Sequence, residues 1–345
     1  MIKEMTYIRT LIAALFFIFT CSEVEAQQES HYINIANNPF LVNPAAGGLS
    51  DVMQLELTSR SQWMGYGNGP RTMMLTGFSP IKIGSSGSGR NEFNIDDNTL
   101  FSSPERSIGT IKHVVGGKAM HESIGPFLKT TAQGSYSIHL PFSKSLNVSA
   151  GLGLGWSNLG IQEDRVVLFQ ADDISYAQFL GNTSSQNILD ANAGITIYGK
   201  NLFIGISTTQ LLKNTAEFND VVTESNFNRH YFFIAKYRFQ MGDIMSLEPS
   251  AVGKMVMNSP FSVDIGVRAV YKNSAWLGIQ YRTSNAITAQ VGANIIKNIY
   301  VAYGYEYSTG TIRSVTNGTH EIQLGFYLGK NKGSENTSKL DSGTE

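Results

Sequence analysis

Strict alternation of apolar with small or polar residues, sustained over long segments, limits what this chain can fold into more than any other feature. From Leu146 the apolar positions are Leu146, Val148, Ala150, Leu152, Leu154 and Trp156, separated by Asn147, Ser149, Gly151, Gly153 and Gly155. Phe261, Val263, Ile265, Val267, Ala269 and Tyr271 stand against Ser262, Asp264, Gly266, Arg268 and Val270. Ile287, Ala289, Val291, Ala293 and Ile295 oppose Thr288, Gln290, Gly292 and Asn294, and Ile299 to Tyr307 repeats the rhythm with Val301, Tyr303 and Tyr305. Side chains of a strand point alternately to its two faces, so each segment has one greasy and one polar face.

These segments run about 9–11 residues, the length at which a tilted strand crosses a bilayer; strands of soluble sheets average about 5–6. Turn signals separate them at Lys200-Asn201, Lys272-Asn273-Ser274, Ser284-Asn285 and Lys297-Asn298, short enough to join antiparallel neighbours. The pattern predicts an all-β transmembrane antiparallel barrel of fourteen strands. They begin near Met53, Arg71, Ser107, Lys129, Ser145, Ile188, Leu202, Asn228, Met245, Phe261, Ala275, Ala286, Asn298 and Thr319. Ile83 to Arg106, Gly160 to Gln186 and Leu212 to Phe227 break the rhythm and read as long loops facing outward. The tail from Lys330 is polar and reads as disordered.

A water-soluble sheet would turn the apolar face inward and clothe the other with Lys and Glu. Here charged residues are only 15% of the chain, against roughly 25% in soluble proteins. Trp156, Tyr198, Tyr271, Trp276, Tyr281, Tyr307 and Tyr327 fall near strand ends, as an interfacial aromatic girdle requires. The net charge of -1 gives no reason to expect nucleic acid or an acidic substrate.

The first 26 residues read as a secretory signal. Lys3 and Arg9 precede an apolar run, Leu11 to Phe19, that is too short to span a bilayer as a helix, and Val24-Glu25-Ala26 predicts cleavage before Gln27. Cys21 makes a lipoprotein signal the alternative, although Ile18-Phe19-Thr20 is a poor lipobox. Cleavage at Ala26 leaves no cysteine, hence no disulfide or thiol chemistry. The expected order is a signal peptide over 1–26, an N-terminal segment over 27–52, a barrel over 53–329 and a polar tail over 330–345.

Fourteen strands about 4.8 Å apart and tilted by about 40° close on a backbone diameter near 28 Å. Wall side chains fill an eight-stranded barrel but not this one, so the lumen holds either water or a plug. Asn38-Pro39 and Asn43-Pro44 impose an irregular path on the segment before the first strand. That segment, residues 31–50, is expected to cap the barrel or fold into its lumen. Arg60, Arg282, His320 and Glu321 lie in predicted strands, where charges at membrane depth are expected to face inward and pair.

No constellation points to catalysis or metal binding. His320 and Glu321 are adjacent and so point to opposite faces of a strand. The histidines show no HExxH spacing, and no G-x-S-x-G elbow is present. Gly84 to Gly89 lacks the Lys-Ser/Thr of a phosphate loop. Asp96-Asp97 and Asp172-Asp173 each supply too few oxygens for calcium. No cofactor is expected, and no enzyme.

Several short motifs recur in a characteristic order. Asn38-Pro39 is followed by Asn43-Pro44-Ala45-Ala46-Gly47, then Arg60-Ser61-Gln62-Trp63 and Gly69-Pro70-Arg71-Thr72. Further on stand Arg229-His230, Pro249-Ser250, Trp276-Leu277-Gly278 with Tyr281-Arg282, and Thr319-His320-Glu321. This series, over about residues 31–328, resembles the PorP/SprF family of outer-membrane proteins of type IX secretion. Two departures are Ala46, where the family commonly has Tyr, and a chain that continues past the last strand. The resemblance implies an outer-membrane component that aids export or surface anchoring of partner proteins, such as gliding adhesins. The implied partners are the bilayer, other type IX components and a secreted surface protein. A passive porin is the alternative that the lumen arithmetic permits.

Overall fold

The computed structural model describes residues 32–50, 52–81, 111–166, 185–212, 215–218, 221–226, 228–256, 259–296 and 298–328. Its strands are β1 (Met53–Ser61), β2 (Arg71–Ile81), β3 (Lys112–Ile124), β4 (Phe127–Pro141), β5 (Leu146–Ile161), β6 (Ser185–Gly199) and β7 (Leu202–Thr209). There follow β8 (Thr215–Phe218), β9 (Val221–Asn226), β10 (His230–Tyr237), β11 (Phe239–Met241), β12 (Met245–Val256), β13 (Ser262–Tyr271) and β14 (Ala275–Arg282). The last are β15 (Ala286–Ile296), β16 (Ile299–Ser308) and β17 (Thr319–Leu328).

Neighbours pair antiparallel around a closed ring, with β1 against β17 and β10 against both β7 and β12. Strand β11 continues β10: Lys236 pairs with Ser250 and Phe239 with Leu247, in one unbroken register along β12. The gap between them falls opposite Pro249, which carries no N–H to give to a ladder. Counted this way the barrel has fourteen strands, with β8 and β9 forming a separate hairpin.

The faces are arranged as in a membrane barrel. Leu152 and Leu154 are 66% and 72% exposed on the outside, whereas Asn147 and Ser149 on the same strand are buried. On β5 the outward apolar residues run from Leu146 to Trp156. Ten steps of about 3.3 Å at a tilt of about 40° make a band about 25 Å tall, the thickness of an outer-membrane apolar girdle. The buried apolar core is not between two sheets but inside the ring. There Tyr32, Ile35, Leu41, Val42 and Leu49 meet Met74, Met120, Phe203, Ile234 and Val252 of the wall.

Several sequence expectations need correction. Tyr198, Trp276 and Tyr327 do not belong to the outer girdle. Their positions have inward parity, and Tyr198 is buried against His139 while Trp276 packs edge-on to Tyr300. Trp156, Tyr271, Tyr281 and Tyr307 do face outward. The stretch Leu212 to Phe227 is not a plain loop, because it carries the β8–β9 hairpin. Strands β5 and β6 also reach further than expected, to Ile161 and from Ser185. The stretch Ile83 to Arg106 and the predicted start at Ser107 lie outside the described residues, as do the signal, the tail and both Asp-Asp pairs.

Strand parity fixes the two ends. The ends of β1 and β17 nearest the termini share a rim with the tight turns at 142–145, 200–201, 242–244 and 272–274. Lys272 and Asn273 both take positive φ there, 48° and 50°, as a two-residue hairpin turn demands. Termini and short turns mark the periplasmic rim. Strand β2 ends and β3 begins at this same rim, not at the outer one.

The exposure pattern predicts that Leu152→Arg, mid-band on β5, lowers unfolding free energy in lipid vesicles by about 2–4 kcal/mol. Urea titration reads it; a sheet facing water there would register no loss of that size.

Candidate functional site

The lumen is the site, and residues 32–50 occupy it. Proline disfavours helical backbone in the residue before it; Asn43 (φ -129, ψ 105) is extended and Asn38 (φ -121, ψ 76) is non-helical. Each proline then opens a short 3-10 turn, Pro39–Leu41 and Pro44–Ala46. Prolines suit that first position because the N–H they lack would have no partner there. The turns satisfy their own backbone: Asn43 N–H donates to Pro39 O at 2.9 Å and Ala46 N–H to Asn43 O at 3.0 Å. A segment folded so tightly can be buried without orphaned polar groups.

The wall is shaped to receive it. Asn43 is fully buried; its Oδ1 accepts from Ala45 N–H at 2.9 Å and its Nδ2 donates to Thr196 Oγ1 at 3.3 Å. A methyl group on Gly194 would overlap Asn43 Oδ1, and one on Gly151 would lie 2.5 Å from Ala45 N. Ser149 donates to Ala45 O at 2.7 Å and Lys118 to Leu41 O at 3.2 Å. On the other side of the ring Asn38 Nδ2 donates to Glu56 Oε1 at 2.9 Å, and Asn37 Nδ2 to Gln290 Oε1 at 2.6 Å. Phe40 lies edge-on to Phe78, ring centres 5.3 Å apart, and a Cβ on Gly47 would touch the Phe40 ring at 3.0 Å. Strands from both halves of the ring therefore hold one segment.

Charges line the same cavity in two networks. In the first, Asp264 accepts from Arg282 Nε at 3.0 Å and Arg282 Nη1 reaches Glu306 at 2.7 Å. Glu306 lies 3.6 Å from Arg60 Nη2, and Arg60 Nη1 is 3.2 Å from Glu321. Glu321 closes on the plug, accepting from Ile33 N–H at 3.1 Å. In the second, Glu248 joins Arg238 and Arg268, and the Arg268 guanidinium lies 5.8 Å from the Trp276 ring centre. Glu56 accepts from the Tyr300 hydroxyl. Each charge of the two networks has an opposite partner, which its desolvation requires, and the buried Glu56 is held by hydrogen bonds instead.

The other residues singled out in the sequence take mixed roles. Arg60, Arg282 and Glu321 face inward and pair as expected. His320 does not: it lies on the outward face, its Nδ1 2.7 Å from the Tyr303 hydroxyl, because its neighbour Glu321 takes the lumenal parity. Gln62 N–H donates to Pro70 O at 2.8 Å to close the β1–β2 connection, and Trp63 adopts φ 53 beside it. Arg229 Nε donates to Leu211 O at 3.2 Å at the outer rim. Gly278 lies inward against Gln290, and Pro249 interrupts the ladder of β10 and β11. Glu56, Arg238, Glu248 and Glu306 are lumenal charges that the sequence reading above does not single out. Strand parity carried the signal, since each shares the face of the polar residues on its strand. Gly194 and Gly151 are seats for the plug, for which a lone glycine in a sequence offers no signal.

Arg60→Met strands Glu321 without a counter-charge, while Glu306 keeps Arg282, and is expected to cost about 3–5 kcal/mol, measured as a lowered urea midpoint. Adding Glu321→Gln is expected to restore part of that loss. Gly194→Val is expected to unseat Asn43 and make the N-terminal segment cleavable by protease in the otherwise folded barrel.

The profile of a family described as "Type IX secretion system membrane protein PorP/SprF" matches residues 24–326. No curated protein matches the sequence. Among solved structures, the Ralstonia pickettii toluene transporter TbuX is similar at 13% identity and a TM-score of 0.49, over 86% of this chain and 94% of its own. The Acinetobacter baumannii outer membrane protein Omp33 is 11% identical with a TM-score of 0.45, over 81% of this chain and 100% of its own. The CymD monoaromatic hydrocarbon channel is 12% identical with a TM-score of 0.47, over 88% and 95%.

Proposed function

The chain belongs to the PorP/SprF family of type IX secretion system membrane proteins, and from that premise we propose that it works as a stoppered scaffold. It resides in the outer membrane as a β-barrel, and its family and fold are those of a secretion barrel. The finer reading is that it aids export or surface anchoring of partner proteins, gliding adhesins among them, in company with other type IX components.

One observation carries the reading: residues 32–50 fill the lumen and are buried almost throughout. A wall that spends its inward polar groups on holding a plug is built to be closed. What such a barrel offers a partner is its rims. At the outer rim the β1–β2 and β16–β17 connections are tied together, Met64 N–H donating to Gly318 O at 2.8 Å and Asn317 N–H to Met64 O at 2.6 Å. That joined surface presents Met64, Tyr66 and Val315, each about half exposed, and apolar side chains in water favour a protein partner.

Crosslinking in intact envelopes followed by capture of the tagged barrel is expected to recover type IX components or a surface adhesin. Met64→Ser with Tyr66→Ser is expected to reduce that recovery; recovery of the general insertion machinery alone would count against the scaffold. In planar bilayers the intact protein is expected to pass no steady current, while removal of residues 31–50 or Gly194→Val opens a conductance. A steady current from the intact protein would return it to the porin class.

A further inference from the structure

The outward face is apolar along the band and changes character at its outer edge. Register places Ser61 of β1 opposite both Arg71 of β2 and His320 of β17. Arg71 pairs with Ser123 of β3, His121 with Thr130 of β4, and Thr130 with Asn158 of β5. All share the outward parity. Arg71 stands in line with Met73 and Leu75, which are 57% and 48% exposed, and alternates with the buried Thr72 and Met74. These residues crown the apolar band on the rim away from the termini, where lipid headgroups of the outer leaflet begin.

Two arginines meet in this belt. Arg165, in the 3-10 turn Glu163–Arg165 after β5, reaches back so that its Nη1 donates to Ser123 Oγ at 3.1 Å. With Ser61, Arg71, Met73 and His121 it lines a groove of about 340 Å³. His121 is held by Thr130, Nδ1 to Oγ1 at 3.0 Å. Among the described residues no carboxylate pairs with Arg71 or Arg165, and nothing accepts from the Arg71 guanidinium. The lumenal arginines differ: Arg60, Arg238, Arg268 and Arg282 each have a carboxylate. The protein thus supplies counter-charge where lipid cannot reach and withholds it where lipid can.

A charge on the lipid face is costly inside the band and tolerated at the headgroup level. The groove joins two chemistries: guanidinium forks that match phosphate oxygens bidentately, and below them an apolar strip of Leu57, Met73 and Leu75. We propose that it binds the phosphorylated headgroup of an outer-leaflet lipid. Arg71 and Arg165 grip the phosphate, the hydroxyls of Ser61 and Ser123 border it, and the acyl chains lie along the strip. Such a lipid orients the barrel at its outer rim beside the loops that face a partner.

The test uses the purified full chain, stripped of lipid in detergent, with bound lipid counted by native mass spectrometry. Wild-type protein is expected to retain diphosphoryl lipid A about tenfold or more better than its dephosphorylated form. Arg71→Gln with Arg165→Gln is expected to erase that preference, while Lys272→Gln at the periplasmic rim leaves it intact. The mobility of unheated samples on gels reports whether each variant is folded, and the comparison of the two lipids on wild-type protein needs no variant. Equal retention of both lipids overturns the proposal. So does an equal loss in Lys272→Gln. Millimolar inorganic phosphate that binds alone and displaces the lipid would make this a free-phosphate site and also overturn it.

Discussion

A ring of fourteen strands has an interior too wide for its own side chains to fill, and the structure rests on how that space is occupied. The plug of residues 32–50 lets inward polar groups find partners without admitting a column of water. Asn38 reaches Glu56 on β1, Asn43 reaches Thr196 on β6, and the Ile33 N–H reaches Glu321 on β17. These contacts bridge strands far apart around the ring. The barrel and its stopper therefore depend on each other, the wall lacking partners without the plug and the plug lacking a fold without the wall.

The ionic networks are the second consequence of that arrangement. Buried ion pairs seldom add net stability over well-packed apolar residues, but an unpaired member is severely costly. The chain from Asp264 through Arg282, Glu306 and Arg60 to Glu321 runs from β13 to β17 and β1. It crosses the seam where the first and last strands meet. A register slip of one residue at β1–β17 would turn one of Arg60 and Glu321 toward lipid and part the pair, so the network's clearest effect is on which pairing closes the ring. The same logic separates Arg71 and Arg165, whose unpaired charges lie at the height of headgroups.

How far could these features be read without coordinates? Alternation located the strands, and seven predicted starts, such as Met53, Arg71 and Thr319, coincide with observed ones. Parity also told that Arg60, Arg282 and Glu321 would be lumenal. The aromatic girdle was less legible, because Tyr198, Trp276 and Tyr327 lie at strand ends as a girdle does and only strict odd-even bookkeeping separates them. His320 was drawn inward by its charge, though it shares the outward face with Ile322. The two Asn-Pro steps announced an irregular segment, and the oversized lumen left capping the rim or entering the interior as its two seats.

Some properties followed from the sequence alone, because they depend on neighbours along the chain. A two-residue rhythm over membrane-length segments, with turn residues between, dictates an inside-out barrel whatever its closure. Proline after asparagine keeps that asparagine out of helical backbone and opens a tight turn. Other properties needed the ring to close, because they join residues distant in sequence. That Gly194 and Gly151 leave room for Asn43 and Ala45, that Arg60 finds Glu321, and that Arg71 meets Arg165 on the outer rim are consequences of strand order and register. Local propensity carries no term for contacts of that kind.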